Sequence, residues 1–464
     1  MGREVSLLPE TISELVQRYA GSGPRYTSYP TANNFSDAYK AGHQVDALAS
    51  ITKEQALSLY LHIPFCNTIC YYCACNKIVT ANKKKADTYL DYLQKEIALV
   101  SNLVDGNQTV EQLHFGGGTP TYMSDEQLGS IMVCLGNNFN LSNSPERDFS
   151  IEIDPRTVDP KRIEHLASLG LNRLSLGIQD FDPQVQLAIN RLQSTRETTD
   201  IVNAARSSGF ESISVDLMYG LPLQSLNQFK KTLEEVCRID PDRISLFNYA
   251  HMPHLFKTQR QIVDAELPSP SEKLKLLSFS IRYLLDAGYS YVGLDHFAKP
   301  DDKLFAAQES GTMHRNFQGY TTHRQCELIG LGVSSISDIN GSYSQNEKNL
   351  DAYYEALDQS NLPVAKGLVC SPDDSITRNV LTSLMCNLKL NYSDFSKRNG
   401  VNFTQHYEEE LTELEEFARN GLLEINPEEI CITETGRLLL RNIAAVFDVY
   451  LPGKPSQSQF SQTI

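Results

Sequence analysis

No run of apolar residues in this chain approaches the roughly 20 that a membrane-spanning helix needs. Its first residues, with Arg3 and Glu4 close behind Met1, lack the charged-then-apolar order of a secretory leader. Both absences lead to the expectation of a cytoplasmic protein with reduced thiols. Positive charge is also scarce: 41 lysines and arginines face 57 aspartates and glutamates, for a net charge of -16. That balance excludes broad attraction to nucleic acid or anionic membrane, so an anionic ligand needs a local basic pocket. No long apolar stripe asks for a partner subunit, and a monomer is expected. With 464 residues, the chain has room for two to three domains.

Cysteine is present in an unusual arrangement. Cys66, Cys70, Cys73 and Cys75 crowd into ten residues, directly after an alternating apolar segment at 57–65. Three thiolates in the spacing C-x3-C-x2-C can hold three corners of a 4Fe-4S cubane, because soft sulfur suits iron–sulfur centres. The fourth iron is then open to a small ligand. Zinc is the alternative, but its loops come as two C-x2-C pairs or add histidines at short spacing, and no second pair exists here. Cys134, Cys237, Cys326, Cys370, Cys386 and Cys431 stand singly in apolar surroundings and read as small core residues. Clustering confined to one loop of a long chain also speaks against a disulfide framework.

Residues 1–50 read as an N-terminal arm, with an amphipathic stretch at 12–19 and a proline-bounded segment at 24–31 that cannot be helical. From residue 56 short apolar runs, at 57–63, 110–115, 149–153, 173–178, 212–218 and 244–249, alternate with helical periodicity such as 86–103 and 160–169. Strand alternating with helix predicts an α/β fold with a parallel sheet, and six repeats predict a partial (β/α)6 barrel over residues 51–345. A further strand is expected at 289–294. Polar and glycine residues follow the runs: Gly116 to Pro120, Glu152 and Asp154, Gln179 and Asp180, and 216–222. In a parallel barrel that is the face where sites are built. The cysteine loop follows the first run, so the candidate chemistry shares one rim.

Residues 346–464 read as a mainly helical C-terminal domain. One helix is marked by Ile376, Val380, Leu381 and Leu384; a second, by Tyr407, Leu411, Leu414 and Ala418, ends at Gly421. A hairpin at 422–433, a helix at 437–446 and a polar tail at 452–464 follow. The outline resembles a winged DNA-binding unit, but Glu408, Glu409, Glu410, Glu413, Glu415 and Glu416 on the second helix make a packing or lid role the better reading.

Residues 60–75, the glycine run and the 216–222 loop together resemble the radical S-adenosylmethionine (radical SAM) enzymes. Three segments sharpen this to the oxygen-independent coproporphyrinogen III oxidases: 24–32 (PRYTSYPTA), 60–80 (YLHIPFCNTICYYCACNKIVT) and 314–322 (HRNFQGYTT). The resemblance extends from about residue 20 to about residue 450 and implies a 4Fe-4S cluster on Cys66, Cys70 and Cys73, with Cys75 not a ligand. It implies two S-adenosylmethionine molecules. Tyr60, Gly117, Glu152, Ala250 and Ile336 would surround the first, and Tyr72, Gly118, Thr119, Gln179, Arg191 and Asp216 the second. Tyr72 stands where many members carry phenylalanine; either ring stacks on adenine. The implied reaction converts two propionates of coproporphyrinogen III to vinyl groups, giving protoporphyrinogen IX in heme biosynthesis. A 5'-deoxyadenosyl radical initiates it, with electrons from a low-potential donor such as flavodoxin or ferredoxin. The substrate's four carboxylates call for basic residues, and Arg25 and Arg315 in the distinguishing segments are candidates.

Blander readings exist for each residue. The glycines could form a plain turn, Glu152 could be a surface acid rather than a partner for a ribose diol, and Tyr60 could be core. His314, Arg315 and Tyr320 could cap a helix or line the substrate pocket. A heme-binding chaperone on the same scaffold is the alternative function, disfavoured by segments 24–32 and 314–322; a metal-stabilised interaction module is a third. The arm and C-terminal domain are expected to close the barrel mouth, because radical chemistry needs water and oxygen kept out.

Overall fold

In the computed structural model, residues 14, 15, 18, 19, 21 and 23–451 are described. Of the expected amphipathic stretch, Glu14, Leu15, Arg18 and Tyr19 are helical; its remaining positions and the tail at 452–464 lie outside the described residues.

All six apolar runs are strands: β1 Ala56–Ile63, β2 Thr109–Gly117, β3 Asp148–Ile153, β4 Arg173–Gln179, β5 Ser212–Tyr219 and β6 Arg243–Asn248. They pair in parallel, in chain order. The crossovers carry helices α1 Lys84–Ser101, α2 Asp125–Asn138, α3 Pro160–Ser168, α4 Thr195–Ser207 and α5 Leu226–Ile239, as parallel pairing requires. Side chains alternate along each strand. In β1, Leu57, Leu59, Leu61 and Ile63 are fully buried in the main core, while Tyr60 and His62 face the barrel interior. The interior positions of the other strands are polar as well: Gln112 and His114, Ser150 and Glu152, Ser175, Ser214 and Asp216, Ser245. A closed parallel barrel usually fills its interior with branched aliphatics. Here the polar interior encloses space.

The run at 289–294 forms β7 Ser290–Gly293, which joins β6 through β8 His296–Ala298; both of those pairings are antiparallel. At the other edge, β9 Cys326–Leu331 lies parallel to β1, followed by antiparallel β10 Ile336–Ile339, β11 Ser342–Asn346 and β12 Val364–Val369. Strand β9 was not expected. Its apolar run is four residues long and broken by Gly330, which is needed because a Cβ there would lie 2.5 Å from the Ile336 carbonyl oxygen. Among the described residues no pairing joins β7 to β12, so the barrel is open. Strand β12 belongs to this sheet although it lies beyond residue 345.

A second core gathers helices α6 Pro372–Asn387, α7 Glu408–Arg419 and Leu440–Ala445 with a small sheet of Lys389–Asn391, Leu423–Ile425 and Glu429–Ile432. Asn420 is the C-cap of α7, and Gly421 follows it at φ 72. The helix Tyr392–Asn399 was not expected. Tyr26 and Tyr29 of the arm are buried in this core. The Tyr26 hydroxyl donates to Asp448 at 3.0 Å, and Arg441 donates to the carbonyls of Pro24, at 2.9 Å, and Gly23. Of the six scattered cysteines only Cys386 is buried. The others are half-buried; Cys134 and Cys237 still pack against the main core, whereas Cys326, Cys370 and Cys431 do not, which corrects the reading of all six as core residues. No helix among the described residues is long and apolar enough to cross a membrane.

Candidate active site

The cysteine loop leaves β1 at Pro64 and returns on itself. Phe65–Cys66 pairs with Ile78–Val79, Ile78 N–H donates to Pro64 O at 2.7 Å, and Thr80 N–H donates to Cys66 O at 3.1 Å. Backbone oxygens inside the loop are held from outside: Lys77 Nζ and Thr258 Oγ1 donate to Cys73 O, and Gln259 Nε2 donates to Tyr72 O. The loop is thus fixed to the barrel rim and to the segment after β6.

Hydroxyl and guanidinium donors reach two of the sulfurs. Thr119 Oγ1 donates to Cys66 Sγ at 3.4 Å. Arg156 Nη2 and Arg191 Nη1 each donate to Cys70 Sγ at 3.5 Å, and both arginines pair with Asp154. A hydrogen bond from Cys75, helped by the Lys77 charge, brings Cys73 down to about 6. Burial instead pushes Cys66 up to about 11, so its proton leaves readily only in exchange for a metal centre. Among the described residues the ligand atoms close enough together for a single ion are those of Glu111, His323 and Cys326, near the opposite ends of β2 and β9. The loop cysteines are spread wider than that. Widely spaced sulfurs, with a hydroxyl donor on Cys66 and two guanidinium donors on Cys70, fit an anionic iron–sulfur cluster better than one zinc ion.

The glycine run permits close approach. A Cβ on Gly118 would lie 2.7 Å from the Pro64 carbonyl oxygen, and Gly117 has φ 120. Beside it, Glu152 accepts from Gly117 N–H at 3.2 Å and lies 3.2 Å from His114 Nε2. The His114 ring stacks on Tyr60, with centroids 5.7 Å apart. Asp216 is pushed up to about 7 by burial and by the Glu152 charge.

Three cavities converge here. One of about 380 Å³ is lined by Tyr60, His62, Gly117, Glu152 and Ile336. A second of about 540 Å³ is lined by Tyr72, Gln179, Asp216 and Ala250, with the arm at 23–27 and 31–33. Cys75 lines both. A third of about 340 Å³ occupies the barrel interior, shares Glu152 with the first and Asp216 with the second, and reaches Arg25 and Arg315. Four of the five residues expected around the first S-adenosylmethionine therefore share one cavity, and Ala250 lies on its neighbour. Of the second group Tyr72, Gln179 and Asp216 share a cavity, while Thr119 and Arg191 contact the cysteines and Gly118 N–H donates to Ile63 O.

Asp180 does not belong to the rim. It is fully buried, accepting from Thr232 at 2.6 Å and Gln224 at 2.7 Å, because the chain turns at Gln179 (φ 68) and sends it inward. Arg156, His62 and His114 were missed. The two histidines were legible as inward positions of β1 and β2; nothing local marked Arg156. The 314–322 segment is a hairpin whose alternation sends Arg315 and Tyr320 to the interior cavity and His314 to another.

An open parallel barrel with a three-cysteine loop after its first strand defines a radical SAM enzyme, and the Radical SAM superfamily model matches residues 60–236. The HemN C-terminal domain model matches 370–439. The chain is 48% identical to the oxygen-independent coproporphyrinogen III oxidase of Pseudomonas aeruginosa, covering 97% of this chain and 98% of that protein. It is 43% identical to the Synechocystis protein of the same name, covering 98% of each. The solved structure of coproporphyrinogen III oxidase (HemN) from Escherichia coli, a radical SAM enzyme, is similar with a TM-score of 0.89 at 45% identity, over 92% of this chain and 98% of that one. The chain belongs to the oxygen-independent coproporphyrinogen III oxidases.

Proposed function

We infer that this protein carries out the oxygen-independent oxidative decarboxylation of coproporphyrinogen III to protoporphyrinogen IX. The observation that carries this is a pair of cavities meeting at one cysteine loop and joined, through Glu152 and Asp216, to a third inside a polar-lined barrel. Each of two propionates gives up one hydrogen atom, one carbon dioxide and one electron, and becomes a vinyl group. When bound, the cluster and S-adenosylmethionine supply the 5'-deoxyadenosyl radical that takes the hydrogen atom, the step that acid–base catalysis alone is too weak to drive.

The chain's own groups hold and shield these partners. Cys66, Cys70 and Cys73 bind the cluster, and Arg156 and Arg191 balance its negative charge through Cys70. Glu152, oriented by Gly117 N–H, suits the hydroxyls of a ribose. One S-adenosylmethionine belongs with Tyr60, Gly117, Glu152, Ala250 and Ile336. The adjoining cavity at Tyr72, Gln179 and Asp216 has room for a second, with Gly118, Thr119 and Arg191 beneath it. Burial, and then the Glu152 charge, push the Asp216 carboxyl up to about 7, so its charge beside Glu152 grows as pH rises through neutrality. The arm lines the second cavity. The reading includes a cytoplasmic monomer, a reductant of the flavodoxin or ferredoxin kind, and a division of the chain into arm, barrel and C-terminal domain.

Anaerobic incubation with reductant, S-adenosylmethionine and coproporphyrinogen III, followed by pigment chromatography, tests it. Divinyl product is expected. Tight stoichiometric heme binding with no vinyl product would overturn the reading in favour of a chaperone.

A further inference from the structure

Four guanidinium groups line the interior cavity: Arg25, Arg173, Arg243 and Arg315. Two are neutralised in place. Arg243 grips Asp302 through Nε and Nη2 at 2.9 and 2.8 Å, and Arg173 lies 3.4 Å from Asp148. The other two have no carboxylate partner among the described residues. Arg25 makes a long hydrogen bond, 3.5 Å, to the Asn248 carbonyl and leans on Phe247. Arg315 Nε and Nη1 are buried without a hydrogen-bond partner, and its guanidinium sits 4.9 Å from the centre of the Tyr320 ring. Their charge is felt nearby: His296 is pushed down to about 3 by burial and then by Arg315, Arg243 and Arg25. Both residues are half-buried, and a guanidinium drawn even partly out of water without a counter-ion weakens a fold, so two facing one cavity suit an anionic occupant.

We propose that Arg25 and Arg315 form a carboxylate clamp for a propionate that survives the reaction, and that this clamp sets which side chains of the tetrapyrrole face the cysteine loop. The proposal rests on the reaction inferred above. The cavity, at about 340 Å³, is at the small end of the range for organic ligands, so it admits an edge of the macrocycle and not the whole. It is also deep. Arg243, close enough to His296 to act with Arg315 on it, stands one inward-facing step further into the barrel than Ser245, the neighbour of Asp216. A carboxylate held by planar guanidinium forks is stabilised as the anion and resists loss of carbon dioxide, which suits a retained propionate. The two arginines come from separate segments, the arm and the 314–321 hairpin, so the clamp is complete only with the arm docked.

The test uses the full-length protein with its cluster. Affinity for coproporphyrin III, the stable oxidised pigment, and for its tetramethyl ester is measured by fluorescence quenching in the parent, Arg25→Ala, Arg315→Met and Arg315→Lys. Each neutral substitution is expected to weaken binding of the acid by roughly tenfold or more and leave the ester unchanged, with Arg315→Lys intermediate. Arg315→Met is expected to melt no lower than the parent, since it removes an uncompensated buried charge. In turnover the variants should release tricarboxylic monovinyl product that the parent retains. Unchanged affinity for the acid would overturn the proposal; so would a lowered melting temperature with equal losses for acid and ester, the mark of a structural role. If the parent itself makes no vinyl product, the reaction fails; if the parent turns over while the variants keep their affinity, only the clamp fails.

Discussion

Asp216 lies fully inside the barrel with Glu152 as the nearest charge of its own sign, and its carboxyl is pushed from 3.8 up to about 7. A raised carboxyl contributes stability that is complete below the unfolded value and is lost as pH climbs through the folded one. Asp216→Asn mimics the neutral form. Its melting temperature relative to the parent is therefore expected to rise between pH 5 and pH 8, and a difference that stays constant over that window would contradict the assignment. Gly118 is a second residue-scale test. A Cβ there meets the backbone of Pro64 and Phe65 within 2.9 Å, and backbone cannot step aside as a side chain can. Gly118→Ala should cost about 1–3 kcal/mol of stability and lower iron content, read by denaturant titration and metal analysis. Glu152→Ala should weaken S-adenosylmethionine binding by roughly ten- to a hundredfold in equilibrium dialysis, as expected for a hydrogen bond to a charged group. The glycine run announced a close approach in the sequence; the atom it approaches, a proline carbonyl across the rim, did not.

Among the elements, the parallel strands were the most legible. Segments such as DFSIEI and SISVD carry apolar residues at every second position, and their other positions supply the polar wall of the cavity. Strand β9 escaped because its apolar run is short and its partner β1 lies some 270 residues earlier in the chain. Segment 24–31 of the arm was legible as non-helical, but the helix Ala41–Ala49 further along the arm was not expected. The arm straps the second core through Tyr26, Tyr29 and the Tyr26–Asp448 hydrogen bond, so removing residues 1–35 would damage that core as well as the lid. Tyr26→Phe is the cleaner change. It leaves the Asp448 carboxyl without that donor and should cost about 1–3 kcal/mol. Limited proteolysis should then cut near residues 23–35 while iron and sulfide stay bound; unaltered proteolysis would show that the hydrogen bond does not hold the strap.

At the scale of the molecule, an open sheet bends a polar face around three joined cavities; the arm lines one of them, whereas the helices and small sheet of the second core line none of the three. The cysteine spacing announced the cluster because its three ligands sit in one loop. The cationic setting of Cys70 was not legible, since Arg156 and Arg191 reach it from the connections after β3 and β4. Everything the site is proposed to do depends on three of the four clustered sulfurs. Iron and acid-labile sulfide should be determined in anaerobically isolated parent protein and in Cys66→Ser, Cys70→Ser, Cys73→Ser and Cys75→Ser. The parent and Cys75→Ser are predicted to carry the iron and sulfide of one 4Fe-4S cluster, and each of the other three to lose it. A parent without sulfide, or a full cluster in any of those three variants, would contradict the account.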